Sequence, residues 1–120
     1  MKLRIQGNAL RLRVTRKEIA ELRDRSSVES SMEFGPGRTL TYRLEGSLQA
    51  QTVTADFDGG TIRVKVPMRM MTAWIESDQV SIQSPSPAGA ELLIEKDFQC
   101  LHKSDKQDPD AYPHPLLQPS

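Results

Sequence analysis

A single cysteine among 120 residues excludes an internal disulfide, so packing and hydrogen bonds alone must hold the fold. Aromatic side chains are scarce too, three Phe, two Tyr and one Trp, and the expected core is aliphatic and small. Net charge is zero at neutral pH, whereas general nucleic-acid binders carry a basic excess with which they displace counterions, so nucleic acid is not an expected partner. No stretch approaches the roughly 20 apolar residues of a bilayer span. Arg4 and Arg11 interrupt what could otherwise be a signal-peptide core. The expectation is a cytoplasmic protein with no membrane partner, long enough for one core and too short for two.

The zero charge conceals two unlike ends. Residues 1–25 hold eight cations against three anions, and residues 90–120 hold six anions against three cations. Within the basic end, Leu3 and Ile5, then Leu10, Leu12 and Val14, alternate with period two, and Gly7-Asn8 has the composition of a two-residue turn. The hairpin register this predicts sets Arg4 opposite Arg11 and Lys2 opposite Arg13, a ladder of four cations on the other face. Thr15-Arg16-Lys17-Glu18 is a capping box and predicts a helix over 16–25, with Ile19, Leu22 and Ala20 as its apolar stripe.

Period two then returns. Val28, Met32 and Phe34 mark a third strand, and Leu40, Tyr42 and Leu44 mark a fourth that ends at Gly46. Gln49 to Phe57 reads as a fifth, turned by Asp58-Gly59-Gly60 into Ile62, Val64 and Val66. Pro67 suits the first position of a short helix over 67–75, with Met68, Met71, Ala73, Trp74 and Ile75 as apolar surface. Gln79 to Gln83 and Ala90 to Gln99 are expected to pair as the last hairpin. No internal repeat is evident beyond the recurrence of hairpins. The fold class is α+β: a single domain over 1–102, mostly antiparallel sheet or an open barrel of short strands, followed by an extended, partly disordered tail over 103–120 rich in Pro and charge.

The run Lys2-Leu3-Arg4-Ile5-Gln6-Gly7-Asn8, the following Leu10-Arg11-Leu12-Arg13-Val14-Thr15 and the late Glu95-Lys96-Asp97-Phe98-Gln99-Cys100-Leu101 resemble a family of small bacterial proteins of unknown function. In that family the late motif precedes an acidic segment and a Phe-Pro-Asn-Pro ending. Here Tyr112 and His114 stand where the family pattern has Phe and Asn. The resemblance implies no activity.

Two clusters invite a chemical reading. Cys100 and His102 are two apart and near Asp97, so their side chains share one side of an extended chain, and Cys and His are ligands that zinc prefers. A structural zinc site advertises two such pairs and this segment has one, so the expectation is a structural cysteine, no metal and no cofactor. A spacing of about 7 Å between alternate strand residues is also long for a thiol and its base. The second cluster is the cation set Lys2, Arg4, Arg11 and Arg13, which Arg63 and Lys65 extend by the same alternation. Like charges directly opposite on a sheet are destabilising. Either these side chains form a solvated face neutralised by Glu91, Glu95 and Asp97, or they converge on a phosphate-like anion. Met68, Met70, Met71 and Trp74 are expected in the core.

The functional expectation is a small binding or accessory module without catalysis of its own, taking a protein partner or a small anionic ligand. The alternatives are a protein or enzyme that handles an anionic or phosphorylated ligand through the Arg/Lys strands, and a metal-binding protein using Cys100 and His102.

Overall fold

The computed structural model describes residues 1–85 and 89–97. Four hairpins carry all eight strands found there. Lys2–Gln6 (β1) and Ala9–Val14 (β2) form the first in the predicted register, with Gly7 at φ 56° in the turn. Helix α1 (Arg16–Arg25) leads to the hairpin of β3 (Ser27–Gly35) and β4 (Arg38–Ser47). The third hairpin, β5 (Thr54–Asp58) and β6 (Thr61–Pro67), leads through α2 (Met68–Ile75) to β7 (Ser81–Pro85) and β8 (Glu91–Lys96).

The hairpins join in pairs. One sheet has the order β1-β2-β8-β7 and the other β3-β4-β6-β5, and in each the two central strands run parallel. The mostly antiparallel expectation therefore holds within hairpins, while the contacts between hairpins make both sheets mixed. Among the described residues each sheet keeps two edges, and no barrel closes. The fifth strand is shorter than its alternation suggests: it begins at Thr54, because the Ser47 hydroxyl accepts from the Gln49 and Ala50 amides (3.2 and 3.1 Å) and turns the chain out of β4. Gly46 does not end β4 either, since it pairs with Val66 across the parallel ladder.

A second correction concerns repetition. The chain is two consecutive ββαββ units, and exchanging them maps β1-β2-β8-β7 onto β5-β6-β4-β3. The first hairpins superpose in sequence without a gap, Lys2 to Thr54 through Val14 to Val66, and the turn Gly7-Asn8 falls on Gly59-Gly60. Across the parallel ladders Leu12 faces Ile94 and Val64 faces Leu44, while Arg13 faces Glu95 and Lys65 faces Glu45. The repeat escaped the sequence because apolar positions changed identity while keeping their parity.

These parallel pairs hold the core. Leu12, Val14, Leu92 and Ile94 of one sheet and Leu44, Val64 and Val66 of the other are at most 1% exposed and belong to one apolar cluster, with Leu22 of α1 and Met71, Trp74 and Ile75 of α2. Full burial of such aliphatic side chains contributes about 1.5–3 kcal/mol each. Ile19 packs against the cluster from outside, whereas Ala20 and Ala73 face solvent. Trp74 reaches across to the first sheet, where its indole Nε1 donates to the Val80 carbonyl at 3.1 Å and Lys96 Nζ lies 5.8 Å from the ring centroid. No described helix is long and apolar enough to cross a membrane.

Helix α1 starts as predicted. The Glu18 amide donates to Thr15 Oγ1 at 3.2 Å and the Thr15 amide to Glu18 Oε1 at 2.9 Å. The Met1 ammonium also bonds Glu18 Oε2, tying the start of β1 to the helix. Burial works to raise the Glu18 pKa, but the ammonium and the Thr15 amide and hydroxyl outweigh it and hold the carboxyl below its ordinary value. At the far end Ser26 takes a left-handed conformation, φ 64°, donates to the Leu22 carbonyl and accepts from the Gly46 amide, which locks the helix end to β4.

Leu12→Ala and Ile94→Ala should each cost about 2–5 kcal/mol in denaturant unfolding, as truncations in a packed core do. Because the Glu18 pKa is depressed on folding, its stabilisation is complete above the unfolded-state value and fades as pH falls through the folded one. Thermal unfolding followed from neutral to acid pH should show that loss in the natural chain and a flatter profile in Glu18→Gln.

Candidate functional site

Alternation along β1 and β2 buries Leu12 and Val14, which forces Lys2, Arg4, Arg11 and Arg13 onto the outer face of their sheet. The neighbouring strands complete two rows across that face. One runs Lys2, Arg13, Glu95, Ser81 and the other Arg4, Arg11, Leu93, Gln83.

Glu95 neutralises part of the cation ladder. Its Oε1 lies 2.9 Å from Arg13 Nη2 and 3.6 Å from Arg11 Nε, and Lys2 Nζ is 3.5 Å from Asp97 Oδ2. Glu91 sits on the same strand beside Ala9, and among the described residues it forms no ion pair. Arg4 likewise has no ion pair among the described residues. It shares two shallow depressions with Arg11, one of about 400 Å³ lined also by Lys2, Leu3 and Arg13, and one of about 210 Å³ that reaches Gln6, Gln83, Leu93 and Glu91.

Arg63 and Lys65 are not brought to this face. They occupy the outer face of the second sheet, where duplication places them at the positions of Arg11 and Arg13. The row that corresponds to Arg4, Arg11, Leu93, Gln83 reads Asp56, Arg63, Arg43, Glu29. There Arg43 bonds both Glu29 and Glu45 at 3.2 Å, and Arg63 lies 3.2 Å from Glu45. The two faces thus share a scaffold and a central glutamate, and differ in that Asp56 and Glu29 flank the cations of the second row while Arg4 and Gln83 stand in those places in the first.

Leu93, Gln83, Arg43 and Asp56 gain their significance from strand pairing. The alignable spacing of Lys2-Leu3-Arg4-Ile5-Gln6-Gly7 and Thr54-Ala55-Asp56-Phe57-Asp58-Gly59 was the signal that could have found them. Asp97 is described and pairs with Lys2, whereas Cys100, His102 and the segment 103–120 lie outside the described residues. Among the described residues no three His, Cys, Asp or Glu side chains come together as metal ligands do. Met71 and Trp74 are core residues, as expected, and Met68 and Met70 are half-buried.

No curated protein matches this chain, and no solved structure does. A family model, by contrast, covers nearly all of it, from residue 1 to residue 116. The chain belongs to DUF7009, a family of unknown function.

Proposed function

We propose that this chain is a small binding module without catalysis of its own, and that it takes an anionic ligand on the outer face of the β1-β2-β8-β7 sheet through Arg4 and Arg11, with Lys2 and Arg13 beside them. The observation that carries this reading is the row Arg4, Arg11, Leu93, Gln83, which has two guanidinium groups and no anion, while the duplicated row supplies Asp56 and Glu29. Two adjacent guanidinium groups repel each other, and an anion bridging them removes that repulsion while accepting charge-assisted hydrogen bonds from both. Binding without chemistry suits the side chains beside the two arginines in the smaller depression, where Gln6, Gln83 and Leu93 offer no nucleophile and Glu91 is the one carboxylate. A ligand with several charged oxygens fits better than a single carboxylate, because Arg4 and Arg11 line both depressions. We place the module in the cytoplasm, where one unpaired cysteine stays reduced.

Calorimetric titration with inorganic pyrophosphate at about 20 mM salt, where screening is weak, tests the reading. Hydrogen bonds to charged groups contribute about 1.5–3 kcal/mol, so Arg4→Gln with Arg11→Gln should weaken binding at least about tenfold. Arg63→Gln should leave it unchanged. An equal loss in both variants, or none in the first, would remove the basis for choosing this face.

A further inference from the structure

The two edge strands that duplication makes equivalent, β1 and β5, carry opposite charge in the same alternation. On the outer face β1 presents Lys2 and Arg4, whereas β5 presents Asp56, at the position of Arg4, and Asp58, at the position of Gln6. On the inner face β1 presents Leu3 and Ile5 where β5 presents Ala55 and Phe57. Both edges leave an apolar side chain of that inner face uncovered, Ile5 at 60% exposure and Phe57 at 68%. Among the described residues neither Asp56 nor Asp58 forms an ion pair, and β1 and β5 each have one strand neighbour.

We propose that β1 is a docking edge for β5 of a second copy of this chain, added antiparallel so that Lys2 faces Asp58 and Arg4 faces Asp56.

The backbone supports the same register independently of charge. The carbonyls of Asn8, just before β2, and of Val14, at its end, accept from the Glu91 and Asp97 amides, so even-numbered residues of that strand turn their backbone groups to β8 and odd-numbered ones to β1. Lys2, Arg4 and Gln6, which face Arg13, Arg11 and Ala9, therefore spend their amides and carbonyls on β2. Leu3 and Ile5 direct theirs to the outer edge. In the second sheet the Gly60 carbonyl accepts from Thr41, and the same parity leaves Ala55 and Phe57 directing theirs outward from β5. The charge register sets Leu3 against Phe57 and Ile5 against Ala55, so the residues with outward backbone groups meet each other. Lys2–Asp58 and Arg4–Asp56 then fall at non-hydrogen-bonded positions, where facing side chains approach most closely. Leu3, Ile5, Ala55 and Phe57 meet on the inner face, which covers the two exposed apolar groups.

Charge also selects the pairing. Two β1 edges would set cations against cations and two β5 edges carboxylates against carboxylates, which blocks both homotypic contacts. Only the mixed one is attractive. Five residues on each side make a small interface, so the association is weak and sensitive to salt.

Sedimentation over a concentration series at about 20 mM and about 500 mM salt reads this out. The natural chain should gain mass with concentration at low salt and lose that gain at high salt. Lys2→Glu with Arg4→Glu should stay monomeric, and so should Asp56→Lys with Asp58→Lys, while circular dichroism shows both folded. Mixing the two variants should restore association, because each then offers edges of the sign the other needs. If a double variant fails to fold, the single exchanges Arg4→Glu and Asp56→Arg carry the same test. A natural chain that stays monomeric throughout would overturn the proposal, as would association that survives in either variant or a mixture that stays monomeric. The aspartate variant leaves the cation face intact, so its loss of association is distinguishable from any failure of pyrophosphate to bind.

Discussion

Each sheet depends on one parallel strand pair between hairpins that are distant in sequence or separated by a crossing segment. β2 meets β8 at the end of the described chain, and β4 meets β6 across residues 48–53. A hairpin forms locally and gains little by itself, since one of its faces stays apolar and uncovered. The parallel contact sets Leu12 beside Ile94 and Val64 beside Leu44, and these four side chains are at most 1% exposed. Burial of that face fixes strand parity, because a slip of one residue would carry Arg11 and Arg13 inward and Leu12 and Val14 outward. The outward cation ladder is therefore a consequence of core packing. Its like-charge repulsion is tolerated because the same parallel pair delivers Glu95 between Arg11 and Arg13.

Duplication gives the charge pattern its meaning. A lone sheet face with four cations and a few carboxylates would read as ordinary solvated surface. Beside it stands a second face with the same strand order, the same registers and a glutamate in the same place, where Arg43 has two carboxylate partners, Glu29 and Glu45, and Lys65 has no ion pair among the described residues. Both faces satisfy the same folding requirement. The difference between Arg4 and Asp56, or Leu93 and Arg43, is therefore not dictated by the scaffold.

Much of the fold was legible because its signals are local. Period-two alternation located Leu12, Val14, Val64 and Val66, the Thr15-to-Glu18 box placed α1, and the Gly-containing pairs 7–8 and 59–60 placed two turns. The expected neutralisation by Glu95 and Asp97 was legible too, from opposite charge on alternating positions. Parallel pairing was not, since nothing in a strand's periodicity says which other hairpin will lie beside it. That gap grouped Arg63 and Lys65 with Lys2, Arg4, Arg11 and Arg13, although the two sets lie on different sheets. It also left Asp56 as one more polar residue in a strand and Asp58 as a turn residue, although across the repeat Asp56 stands where Arg4 does and Asp58 where Gln6 does.

Arg4 is the residue on which the two surfaces converge. It lies on an edge strand, so its guanidinium can turn inward over the sheet toward Arg11 or outward toward a strand added at the edge. The proposed anion between Arg4 and Arg11 and the proposed carboxylate at the Asp56 position of a neighbouring copy would therefore compete for one cation. Thermodynamic linkage makes that competition reciprocal: whatever factor the ligand takes from association, association takes from the ligand. The proposed contact would also be heterologous, because the edge that receives is not the edge that docks, and each added copy would present a fresh β1 or β5. A ligand that occupies Arg4 would cap such growth at the receiving edge while leaving Asp56 and Asp58 available at the other. On the two proposals together, the charge asymmetry between the two halves would give one small fold both a place for an anion and a means of coupling that anion to self-association.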